Sequence, residues 1–168
     1  LKLLKAISLD EDALKLDDKH FVVNFYLGKN YRLLAKANNA LFIDNTEQFK
    51  KSVYYLAQAE KVQARHPFVV VEKSLLAAEL AIKEWQQGLS YKEKLIEGQK
   101  LLDSSLVMHP DNRLLLDNIG FLYLLEQQFD YFSNDNNVKN EGLYQHALTK
   151  AKRRVKFGQQ NYFLLQLL

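Results

Sequence analysis

The sequence predicts an all-α protein built from repeated antiparallel helix hairpins, and three observations carry that expectation. Apolar residues recur every three to four positions through most of the 168 residues, which is the period of an amphipathic helix. Only 2 prolines and 6 glycines punctuate the chain, too few tight turns for a β-sandwich. The run Leu27-Gly28-x-x-Tyr31 also returns in altered form as Leu76-Ala77-x-x-Leu80 and as Ile119-Gly120-x-x-Tyr123. A glycine inside a helical run costs about 1 kcal/mol against alanine, so it reports a close contact.

Taken in order, residues 1–16 have helical apolar spacing, with Asp10-Glu11-Asp12 as a break or cap before Ala13. Asp17-Asp18 then opens a helix whose broad apolar face carries Phe21, Phe25, Leu27, Gly28, Tyr31 and Leu34, and which fades into a turn at Asn38-Asn39. Asn45-Thr46-Glu47 starts the next helix, with Phe49, Val53, Leu56, Ala57 and Val62 on one side. His66-Pro67 ends it, because the residue before proline avoids the α region. Pro67 suits the first turn of a further helix over 68–87, stopped by Gly88. Ser90 and Glu93 have capping-box spacing for a helix reaching Met108. His109-Pro110 repeats the earlier punctuation, and a helix follows to about Tyr131. The polar stretch 133–140 is expected to be a loop, 141–157 a last full helix, and Gly158 the end of it before an apolar tail.

Asp18, Pro67 and Pro110 are successive punctuation points, 49 and 43 residues apart. Leu27, Leu76 and Ile119 keep those offsets, as do Gly28, Ala77 and Gly120, and Tyr31, Leu80 and Tyr123. Upstream of Pro110, Gly98-x-x-x-Leu102-x-x-Ser105-Leu106 places small and large residues at fixed distances, with a partial echo at Ala13-Leu14. These patterns resemble the tetratricopeptide repeat: Leu-Gly-x-x-Tyr matches the first helix of that family and small-x-x-x-large-x-x-small-Leu-x-x-x-Pro the second. Two departures stand out. The period of 43–49 residues exceeds the family's period of about 34, and Ala59 falls about one turn too early before Pro67. The resemblance implies a right-handed superhelical array, an α-solenoid of about seven or eight helices. It forms a single domain over 1–168, with hairpin units at 1–18 (partial), 19–66, 67–109 and 110–158 and a further helix starting at 159–168. In such an array stability is mostly nearest-neighbour.

Composition narrows the function. Apolar residues make up 48% and charged residues 26%, ordinary values for a soluble globular protein. With no cysteine there is no disulfide, thiolate metal site or cysteine nucleophile. No apolar run approaches the roughly 18 residues of a membrane span, and no signal peptide opens the chain, so a cytoplasmic setting is the expectation. The start at Leu1 and the apolar end read as cuts through a longer polypeptide. A net charge of +3 is too small by itself to imply nucleic acid.

Among the four histidines, His66 and His109 precede the junction prolines, where a helix C-terminus favours a cation. Neither His20 nor His146 has a partner at metal-ligand spacing. No phosphate loop, nucleophile elbow or kinase signature is present, so neither cofactor nor metal is expected and the segment reads as non-catalytic. Lys150, Lys152, Arg153, Arg154 and Lys156 put five positive charges in seven residues. They circle a helix interrupted by Val155 and Phe157, which favours a solvated face or an acidic neighbour over nucleic acid.

The tetratricopeptide resemblance further implies a concave groove lined by the first helix of each hairpin, holding a peptide or partner helix. The matching positions are Val22, Phe25, Lys29 and Arg32, then Val71, Ser74, Ala78 and Ala81, then Leu114, Asp117, Phe121 and Leu124. The lysine-and-asparagine carboxylate clamp of the chaperone-binding members is not matched here. The apolar groove suits an amphipathic helix, so the expected function is protein–protein interaction or scaffolding. The long-period hairpins also resemble, loosely, helical-repeat regions attached C-terminally to bacterial serine/threonine kinases.

Overall fold

Helix boundaries in the computed structural model are set by backbone caps and by buried neighbours more than by runs of charge. The structure describes residues 2–132, and these form six α-helices and no strand: α1 Lys2–Leu14, α2 Phe21–Ala40, α3 Thr46–Val62, α4 Pro67–Gln86, α5 Lys92–Met108 and α6 Arg113–Phe132. The loop expected at 133–140, the helix expected at 141–157, the tail after Gly158 and the basic patch from Lys150 to Lys156 lie outside the described residues.

Several boundaries differ from the sequence expectation, each for a local reason. Helix α1 runs straight through Asp10-Glu11-Asp12, because two of these carboxylates have partners on α2: Asn30 donates to Asp10 and the Tyr31 hydroxyl donates to Glu11. Helix α2 begins at Phe21 with His20 as its cap, the His20 Nδ1 accepting the Val23 N–H at 3.4 Å, so Asp17-Asp18 does not open it. Asn38 and Asn39 stay within α2. Ser90 does not cap α5: Tyr91 holds that position, and its ring is buried among α4, α5 and α6 while its hydroxyl donates to Asp130. His66 is the N-cap of α4, its Nδ1 accepting the Phe68 N–H, and α3 has already ended at Val62. His66 therefore stands at the start of α4 and not at the end of α3, where the sequence placed it. His109 does end α5.

The helices pack in a consistent order. Each contacts its successor, and α4 also meets α2 and α6. Helices α2 and α3 are antiparallel: Gly28 faces Leu56 and Ser52, while Ala35, further along α2, meets Asn45 at the start of α3. The interior divides into three clusters along the chain. Ile7, Leu27 and Tyr31 join α1 to α2, Ala35, Phe49, Leu56 and Leu76 join α2, α3 and α4, and a larger set including Val71, Ala78, Leu95, Leu102, Leu115 and Leu122 joins α4, α5 and α6. The buried stripe of α3 is Phe49, Ser52, Leu56 and Ala59, whereas Val53 and Val62 are exposed. The corresponding residues of the three sequence copies share an environment: Leu27, Leu76 and Ile119 are buried, as are Gly28, Ala77 and Gly120.

Gly28 is required by proximity. A Cβ there would lie 2.6 Å from the Leu56 Cγ and 3.0 Å from the Leu56 backbone nitrogen. Across the second hairpin, a Cβ on Gly98 would meet the Ser74 carbonyl oxygen at 3.1 Å and the Ala77 Cβ at 3.3 Å, a milder crowding. Gly28→Ala is expected to lower stability in urea unfolding by about 1–2 kcal/mol, overpacking outweighing the gain in helix propensity. Gly98→Ala should cost less. A stabilised Gly28→Ala variant would contradict the close α2–α3 contact.

Candidate functional site

Two features distinguish this molecule from a plain stack of amphipathic helices, and α4 takes part in both. The first is a buried charge network between α2 and α4. The Arg32 Nε donates to a Glu72 carboxylate oxygen at 2.8 Å, its other guanidinium end lies 3.7 Å from Glu79, and Lys36 reaches Glu79 at 3.1 Å. Arg32, Glu72 and Glu79 are all buried, with Arg32 only 6% exposed. Two cations meet two carboxylates, and Arg32 and Lys36 lie one turn apart facing Glu72 and Glu79 seven residues apart on the neighbouring helix. The arrangement neutralises itself and leaves no unpaired charge to hold a substrate.

This geometry revises the groove expected from the sequence. Arg32 is inside the protein and paired, so it does not line an open surface. Val71, Ser74, Ala78 and Ala81 are also buried. Val71, Ala78 and Ala81 belong to the cluster formed with Leu95 and Leu102 of α5 and with Leu115, Ile119 and Leu122 of α6, and the Ser74 hydroxyl is turned back onto the Val71 carbonyl. The physical reason is the size of these residues. A stripe of small side chains on a central helix lets its neighbours close over it. The remaining positions stay nearer the surface: Val22 and Phe121 are exposed, while Phe25, Lys29, Leu114, Asp117 and Leu124 are half-buried. Phe25 stacks near Phe21 and Phe68 in a ring cluster that also takes in His66. The structure thus brings Val22 and Phe25 together at the start of α2, but does not join them through α4 to Leu114 and Phe121.

The second feature is an opening on the other side of α4. A cavity of about 360 Å³ lies between α3 and α5 with α4 as its floor. Leu56, Leu76, Ala77, Leu80 and Leu101 make its apolar surface, Val53 and Ala57 stand on the α3 wall, and Lys73, Lys94 and Glu97 border it. Ala57 and Ala77 leave room where larger residues would fill the gap. The bordering lysines are held by neighbours, Lys73 by Glu60 at 2.7 Å and Lys94 by Glu97 at 3.5 Å. This is a hydrophobic recess with a polar rim, the general form of a small recognition site.

The sequence reading missed this recess because Val53, Ala57 and Leu80 read as ordinary members of apolar helix faces. The available signal was Ala57 opposite Ala77, two small residues on neighbouring helices. No group of His, Asp and Glu side chains suited to hold a metal ion occurs among the described residues, and none of their helices is long and apolar enough to cross a membrane. Comparison with protein-family models, with curated proteins and with solved structures gives no match.

A second polar cluster fixes α1 and α3 to the repeat tyrosine. The Tyr31 hydroxyl donates to Glu11 at 2.6 Å and accepts from Lys51 at 2.9 Å, and its ring stacks on Tyr55. Burial, and then the bond to Glu11, raise the Tyr31 phenol above its ordinary value; the bond to the Tyr31 oxygen raises Lys51. Both groups therefore favour their protonated forms in the folded state. The stability they contribute is present below the unfolded values near pH 10 and is lost as pH rises through the higher folded ones. The urea midpoint should fall as pH rises above about 10, and Tyr31→Phe should flatten that fall while lowering stability at neutral pH. An identical pH slope for the two proteins would contradict the coupling.

Proposed function

We propose that this segment is a non-catalytic protein–protein interaction module of tetratricopeptide-like architecture, which holds a partner helix in the recess between α3 and α5. The apolar cavity floored by α4 carries this reading. Its size suits two or three apolar side chains from one face of an amphipathic helix, and its Lys and Glu rim suits charged residues flanking that face. Architecture supports the same reading. Helices α2, α4 and α6 contact one another in turn, each with its intervening helix beside it, and neighbour-to-neighbour packing of this kind supports a solenoid reading. The buried pairing of Arg32 with Glu72 favours a structural role for that charge over a catalytic one.

The groove differs from the one implied by family resemblance in its position, on the second helices of the hairpins. Selection from a displayed library of helical peptides tests it. The expected binders carry apolar residues at i, i+3 or i+4, and i+7, and they lose binding to an Ala57→Glu variant that places a carboxylate in the recess. Binders that tolerate Ala57→Glu would contradict this site.

A further inference from the structure

The ions at the border of the α3–α5 recess already have partners. Lys73 is paired with Glu60 at 2.7 Å and Lys94 with Glu97 at 3.5 Å, so the rim does not select a charged occupant. Between them lie Leu56, Leu76, Leu80 and Leu101, and Val53 on the α3 wall is 51% exposed. Apolar surface of this kind gains by burial against a neutral, apolar segment. A charged segment would lose its water there and find no partner.

One stretch beyond the described residues has that chemistry. Residues 133–140 are polar, and 141–157 include the five cations of the basic run. From Gly158 to Leu168 there is no charged residue, and from Tyr162 onward every residue except Gln166 is apolar. The described chain also ends beside the recess. Helix α6 runs antiparallel to α5, since Gln99 donates to Glu126 and the Tyr91 hydroxyl donates to Asp130. Phe132 therefore lies at the head of α5, and Lys94 and Glu97 of the rim stand in the first two turns of that helix. Even with 141–157 wound into a helix about 25 Å long, the stretches on either side of it add about 40 Å of reach. That is enough to pass around α5, whose diameter is about 10 Å.

We propose that residues 159–168 dock in the α3–α4–α5 recess of their own chain and compete there with the partner helix. The competition rests on the recess being an interaction site, and it gives that site a regulator. Apolar side chains such as Phe163 and Leu164 fill the space that the partner's apolar face would take, so the partner binds only when the segment has left. The apparent affinity for the partner is then lowered by the fraction of molecules whose recess is open.

Because the sequence has no cysteine, a single introduced one can carry a nitroxide label. With the label on Gln166→Cys of the 168-residue chain, the methyl NMR signals of Leu56, Leu76 and Leu80 should broaden. The broadening should be equal at every protein concentration and should disappear when Ala57→Glu is added. Recess methyls that stay sharp, broadening confined to Leu124 of α6, or broadening that grows with concentration would each overturn the proposal. Phe163→Glu combined with Leu164→Glu should bind the selected helical peptides about tenfold more tightly than wild type, the gain expected when the segment is docked for about nine-tenths of the time. Equal affinity for the two proteins would also overturn it. If the recess methyls broaden but no peptide binds even the double variant, the segment docks and the interaction-module reading fails. If peptides bind the recess while its methyls stay sharp under the label, the competition fails and the interaction module stands.

Discussion

The pairing of Arg32 with Glu72 is the constraint on which the arrangement of the helices depends. Removing charges from water is costly, and attraction between them repays that cost only when geometry is good and every lone pair has a partner. Here the guanidinium reaches two carboxylates of α4, Glu72 and Glu79, and Lys36 completes the balance at Glu79. Apolar contacts alone would let α4 slide or rotate against α2. A guanidinium lodged between two glutamates seven residues apart allows one register. That register sets where Leu76, Ala77 and Leu80 point, and hence where the floor of the recess lies.

Around this pair the other contacts are divided between neighbours. Gly28 lets α3 come close enough for Leu56 to lie over the α2 backbone and for the Ser52 hydroxyl to donate to the Gly28 carbonyl. Tyr31, one turn further, holds α1 through Glu11 and α3 through Lys51. Arg32 then reaches in the other direction, to α4. Three residues within five positions of one helix thereby contact three different helices. Beyond α4 the packing becomes mainly apolar, with Tyr91 and Gln99 adding bonds to Asp130 and Glu126 of α6.

Much of this was legible in the sequence. The helical period and the three-copy alignment gave the helices and the buried columns at Leu27, Leu76 and Ile119, because burial of one face imposes periodicity. Gly28 was readable as a packing contact for the same reason. The positions of the caps were not, since a histidine can cap a helix start or favour its end and spacing alone does not choose between them. The groove was misplaced for a deeper reason. Ser74 and Ala78 are small and could equally floor an open surface or admit a neighbouring helix. Only the close approach of α5 and α6 decides between those outcomes. Arg32 likewise reads as a surface cation until Glu72 is seen beside it, 40 residues away in the chain.

The recess and the register are thus two consequences of one buried interaction, and that interaction can be measured. A double-mutant cycle on Arg32→Met and Glu72→Leu, followed by urea unfolding, addresses it most directly. Arg32→Met should cost about 3–5 kcal/mol by leaving Glu72 buried without its partner, Glu72→Leu should cost less because Arg32 keeps Glu79, and the double replacement should cost less than their sum. Small and additive costs would mean that α2 and α4 are held by apolar packing alone, and would contradict the account.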